Sequence, residues 1–273
     1  MATDLTTTDE HAPAPTPHPV HPVHSAPSSN APHRWRFLFI YGTLAAVLGL
    51  AIAGIVIYAG RSINPAPKWS AWQPSGGGLG AAKQIADRVA GTYHLPSGQQ
   101  LVDVIAKAPS VSPADQQIPI HYIAVRGAKG VVDQILPVDS SNSLMYSLCG
   151  LGSSCSIATG KPSVARGTLV RREILELALY TFKYVGGVKN VVAFMPPTPG
   201  AQPTLAIYLQ KTDFSQELKH PIAQTLNEKV PLPAAITARE QETIDSTTQS
   251  RVFKFSLSQA QQGDAILVLQ PLA

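Results

Sequence analysis

Phe37 to Ala59 reads FLFIYGTLAAVLGLAIAGIVIYA, and this run decides how the rest of the chain is organised. Its 23 residues hold no charge and no proline, and only Tyr41, Thr43 and Tyr58 carry polar side chains. A helix rises ~1.5 Å per residue, so the run covers roughly 34 Å, enough to cross a ~30 Å hydrocarbon core with some tilt. Lipid offers no partner to backbone N–H and C=O groups, and a helix satisfies them internally. The run predicts a transmembrane helix over 37–60, with the lipid bilayer as partner and a large remainder on one side. A cleaved signal peptide is the rival, since Ile57-Tyr58-Ala59 before Gly60 weakly resembles a cleavage site. Signal peptides carry apolar cores of only ~7–15 residues close to the N-terminus, so an uncleaved signal anchor is preferred. Within the run, Ala45, Gly49 and Ala53 recur every four residues, a spacing that lets two membrane helices approach closely. It opens a route to a homodimer; ordinary lipid-facing small residues are the simpler reading.

Outward from the span the charges are balanced. Arg34 and Arg36 precede it and Arg61 and Lys68 follow, so basic residues do not fix the orientation. Cysteine usage does more. Cys149 and Cys155 are the only two cysteines and stand close together in CGLGSSC, a pattern suited to a disulfide in an oxidising compartment. The expectation is a protein of the cell membrane with its N-terminus inside and residues 61–273 outside. Free buried thiols are the second reading of the pair. Redox chemistry or a metal is the third, since a redox site is usually CxxC and zinc would need further Cys or His nearby.

The tail 1–36 holds seven prolines and five of the eight histidines. It cannot bury enough apolar surface to offset ordering and is expected to be disordered and cytoplasmic. His18, His21 and His24 recur every third residue, which a polyproline II helix would place on one face; drift in a low-complexity segment explains them as well. After the span, residues 61–78 carry Pro65, Pro67 and Pro74 and then Gly76 to Gly78, and read as a linker. Trp69 and Trp72 there suit either an interfacial anchor or a cap on the folded body.

The chain carries 21 Lys+Arg against 17 Asp+Glu, and the tail accounts for two Arg and for Asp4, Asp9 and Glu10. The remaining 19 basic against 14 acidic residues, +5, are dispersed beyond the span, which argues against a nucleic-acid surface. Residues 79–273 suffice for one core. Apolar spacing predicts helices over 79–93 and 163–185, the second capped by Ser163 and stopped at Gly186-Gly187, and a shorter one over 213–228 interrupted near Pro221. Strands are predicted over 101–106, 119–126, 131–138, 189–195 and 204–210, with two more in RVFKFSLS and DAILVLQP. The stretch 237–248 reads as solvated helix or loop. The strands cluster in pairs, so the fold class is α+β: one N-terminal transmembrane helix plus an extracytoplasmic domain with a mainly antiparallel sheet and about three helices.

The segment RREILELALYTFKYVGGVKNVVAFMPP, with CGLGSSC before it, resembles a stretch of functionally uncharacterised single-pass membrane proteins of actinobacteria. The likeness spans about 50 of 273 residues. It implies a bacterial cell envelope and brings no activity.

Candidate chemistry is sparse. Glu173 and Glu176 are three apart on one helix beside Arg171 and Arg172, suited to acid–base work only if a pocket joins them; surface charge is the simpler reading. His94, His121 and His220 stand alone, and TGKPS at 159–163 lacks the first glycine and the Ser/Thr of a phosphate-binding loop. No catalytic residue, metal site or cofactor is expected. The chain reads as a non-catalytic membrane-anchored envelope protein whose outer domain binds or scaffolds an envelope protein partner. A ligand-sensing domain signalling across the membrane is the alternative, and an envelope enzyme the third.

Overall fold

The computed structural model describes residues 34–60, 68–111, 117–127, 135–259 and 263–272. The His-rich tail up to His33, the linker ahead of Lys68 and the first half of the strand expected at 131–138 lie outside the described residues. The chain divides into two compact units, Met1–Ile63 and Asn64–Ala273.

The described part of the first unit is one helix, α1, Arg34–Gly60. Its Trp35–Ile57 portion, mean hydropathy 2.3, is long and apolar enough to cross a membrane. Its described side chains from Trp35 to Ile57 are all exposed, Ala45, Gly49 and Ala53 among them. The Thr43 hydroxyl donates to the backbone carbonyls of Phe39 and Ile40 at 3.0 and 2.9 Å, so the most polar group of the span is satisfied within the helix.

The second unit runs α2 (Gly78–Ala90), β1 (Asp103–Lys107), β2 (Ser110–Val111), β3 (Ile118–Arg126), β4 (Ile135–Asp139), β5 (Ser143–Cys149), α3 (Val164–Tyr184), β6 (Asn190–Phe194), β7 (Leu205–Gln210), α4 (Ala238–Thr248), β8 (Val252–Gln259) and β9 (Ala265–Pro271). The sheet order is β1-β5-β6-β7-β8-β9-β3-β2, with β4 on β3. Two of the pairings, β3–β9 and β5–β6, are parallel, and the others are antiparallel. The two ends of this path, β1 and β2, are successive pieces of one run broken at Ala108-Pro109. Pro109 has no N–H for a ladder, while its carbonyl accepts from Ile120 N at 3.0 Å. One short stretch thus meets β5 on one side and β3 on the other, and the sheet nearly closes on itself.

Alternation along the strands sorts side chains into two cores. Val191 and Ala193 of β6, with Leu144, Tyr146 and Leu148 of β5, join α2, α3 and α4 in the larger core. Val192 of β6, Met145 of β5 and Tyr208 of β7 face the other way, into a core built of strand residues alone, with Ile123, Phe253, Leu267 and Leu269. The sheet is therefore buried on both faces, by helices outside and by its own curvature inside.

The α+β class and the mainly antiparallel sheet agree with the sequence. Details differ. The helix expected at 213–228 is two 3-10 turns, Lys211–Phe214 and Ile222–Gln224, because Pro221 lacks an N–H and disfavours helical geometry at His220. The stretch at 237–248, read as helix or loop, takes the first of those forms as α4, whose cap Thr237 accepts from Glu240 N at 3.3 Å. Strands β2 and β5 were not expected from periodicity.

Candidate functional site

Helix α3 supplies most of the site. Ser163 caps it, accepting from Arg166 N at 3.2 Å, and its apolar positions run round most of its circumference. Such a helix must be enclosed. The consequence corrects the surface reading of its charges: Arg172 and Glu173 are wholly buried. Glu176 keeps 17% of its side chain exposed.

Arg172 is the hub. Its Nε donates to Glu240 Oε1 at 2.8 Å, and Nη2 donates to the Asn227 carbonyl at 2.7 Å. Nη1 donates to Glu176 Oε2 at 3.0 Å and to the Tyr93 hydroxyl. Asn227 in turn donates to Glu240 through its backbone N–H at 2.9 Å and its Nδ2 at 2.5 Å. Tyr93, from the turn after α2, donates its hydroxyl proton to Glu176 Oε2 at 2.6 Å. Burial, reinforced by the Glu176 charge, holds the Tyr93 phenol well above its usual range, so it stays a donor. Two carboxylates and a loop carbonyl thus converge on one guanidinium, the geometry that makes a buried arginine tolerable.

Glu173 lies outside this network. Both its carboxyl oxygens are buried with no hydrogen-bond partner among the described residues. Burial, followed by repulsion from Glu176, raises its pKa well above the ordinary carboxylate range against the weaker pull of Arg172. The buried site favours its neutral form.

Beside the network opens a cavity of about 760 Å³, lined by Trp69, Trp72, Arg88, His94, Glu176, Tyr180, Leu226 and Asn227, among others. Its aromatic wall is held by ring contacts: Trp69 stands 5.3 Å edge-on to Tyr180 and 5.6 Å from Tyr184, and Trp72 lies 5.7 Å from Tyr180. Trp69 Nε1 donates to the Glu217 carbonyl at 3.0 Å. These tryptophans belong to the folded body, the second of their two sequence readings. Glu176 lines the cavity, and with Oε2 taken by Tyr93 and Arg172 its Oε1 has no hydrogen-bond partner among the described residues. The arrangement suits binding of a group with a flat apolar face and a hydrogen-bond donor.

Among the other candidates, Cys149 and Cys155 lie at disulfide distance, Sγ–Sγ 2.08 Å, at the end of β5. His121 is on β3, 3.6 Å from Asp264, and shares nothing with His94 in the cavity. No cluster of three metal-ligating side chains occurs among the described residues. Sequence reasoning missed Tyr93, Asn227 and Glu240. The one local signal was the Arg172–Glu176 spacing of four on a helix too apolar to have a free side. No family model, curated protein or solved structure matches the chain.

Proposed function

We propose that this chain is a non-catalytic, single-pass membrane-anchored envelope protein, with its N-terminus inside and residues 61–273 outside. Its outer domain binds an envelope component in the cavity beside Glu176. The observation that carries this reading is the cavity itself: an aromatic wall and a carboxylate held in place from beneath by Arg172 and Tyr93. A preset acceptor beside apolar rings recognises a ligand without needing to react with it. Acid–base catalysis is less well supported. Among the described residues the side chains hydrogen-bonded to Glu176 are Arg172, a permanent cation, and Tyr93, which is fully buried and kept protonated by its raised pKa. The apolar helix α1 and the cysteine pair support the anchor and the outward placement.

A photo-crosslinking amino acid at position 72, in the full chain in living cells, tests the reading. One recurrent adduct, lost when Glu176→Ala is added and absent when the crosslinker stands at exposed Gln241 of α4, supports it. Adducts indifferent to Glu176, or shared by both positions, overturn it. The same cavity favours the sensing alternative if that adduct forms with a small metabolite rather than an envelope protein.

A further inference from the structure

A second cavity, of about 430 Å³, opens at the far end of the curved sheet and is separate from the Glu176 site. Its wall is made by Lys107, Val111, Ser147, Phe194, Phe255 and Leu257, which β1, β2, β5, β6 and β8 bring to one mouth. The position follows from topology. At Ala108-Pro109 the run that closes the sheet changes partner from β5 to β3, and the ladder opens there. Phe194 and Phe255 meet edge to face at 4.7 Å and form a firm apolar floor. The Cys149–Cys155 disulfide closes one side without adding a charge.

Among the described residues that line this apolar mouth, one is a cation. Val104 and Ala106 of β1 point to the helical core, so the alternation sends Lys107 to the opposite face, where its Nζ lies 6.0 Å from the Phe194 ring centroid. Among the described residues no carboxylate lies within 4.0 Å of it. Burial alone pulls its pKa below the usual lysine range. A half-buried ammonium over an aromatic floor, without an anion among the described residues, is a site for one.

We infer that this mouth binds an anionic amphiphile, with an apolar chain over Phe194, Phe255 and Leu257 and the head group against Lys107. Each buried methylene adds favourable transfer free energy, while the ammonium selects the sign of the head group. Two sources share this chemistry, a free fatty carboxylate and an anionic membrane lipid.

The test uses the full chain in phosphatidylcholine lipid discs, with empty discs as reference and dodecanoate as probe in calorimetric titration. Dodecanoate is expected to bind at least tenfold tighter than dodecyltrimethylammonium. Lys107→Gln is expected to remove that preference and Lys107→Arg to keep it, and Ser147→Phe to abolish binding by filling the mouth. Thermal unfolding separates a blocked cavity from a damaged fold. If Ser147→Phe unfolds, the two Lys107 variants still decide. Adding phosphatidylglycerol to the discs weakens apparent dodecanoate binding if bilayer lipid is the natural occupant, and leaves it unchanged if a free carboxylate is. No binding of dodecanoate above empty discs, equal affinity for both head groups, or indifference to Lys107→Gln overturns the inference. None of these outcomes bears on the Glu176 cavity.

Discussion

Arg172 Nη1 lies 3.0 Å from Oε2 of Glu176, one turn further along α3, with the arginine sealed from water and the glutamate on a cavity wall. A basic residue four before an acidic one contributes only ~0.2–0.5 kcal/mol on an exposed helix. Here the same spacing belongs to a buried network that also ties in Tyr93, Asn227 and Glu240. Its removal therefore has a different scale.

Arg172→Met is expected to destabilise the fold by about 3–5 kcal/mol, because Glu240 and Glu176 would be left buried or half-buried without their countercharge. Urea unfolding followed by circular dichroism measures it. Arg172→Lys should recover only part of the loss, since an ammonium cannot reach all four acceptors at once. A loss under about 1 kcal/mol would show that the network is decorative.

Glu173 gives stability a pH dependence whose sign is fixed. Its folded pKa lies above its unfolded value, so the folded state holds the proton more tightly. The stability this contributes is complete below the unfolded pKa, ~4.3, and is lost as pH rises toward the folded pKa. Glu173→Gln removes the titration and keeps the shape. Unfolding free energy of the variant minus that of the parent should increase from pH 5 to pH 8; a flat difference would mean that the carboxyl titrates normally.

Ala in place of Gly150 should destabilise, because a Cβ there would lie 2.2 Å from the Ser156 carbonyl oxygen, a backbone atom that cannot swing away. The cost should be about 1–3 kcal/mol, by analogy with overpacking in a core. At Gly167 of α3 nothing lies within 4 Å of the same added atom, so Gly167→Ala serves as control and should be neutral or stabilising. Differential scanning calorimetry of the two variants separates them.

Replacing Cys149 and Cys155 together by Ser should lower stability by about 2 kcal/mol, the value expected for closing so short a loop. In intact cells neither thiol should react with a membrane-impermeant maleimide until a reductant is added. Ready labelling without reductant would count against both the bridge and an outward-facing domain.

What the sequence determined by itself was local. The apolar helix at 37–59, the capped helix after Ser163, the strand alternation in PIHYIAVR and the pairing of two nearby cysteines each rest on neighbours within one element or loop, where spacing alone decides. The charges of α3 were read as surface, although apolar positions round most of the helix require its enclosure. Tertiary structure decided the rest. Sheet closure depends on the run Asp103–Val111 meeting β5 and β3 at once, and the parallel β3–β9 pair joins residues more than a hundred positions apart. Tyr93, Arg172, Asn227 and Glu240 become one site only when α2, α3, α4 and a loop converge. No spacing along a chain encodes a meeting of that kind, because hydrophobic burial fixes which elements touch but not which polar groups they carry into contact.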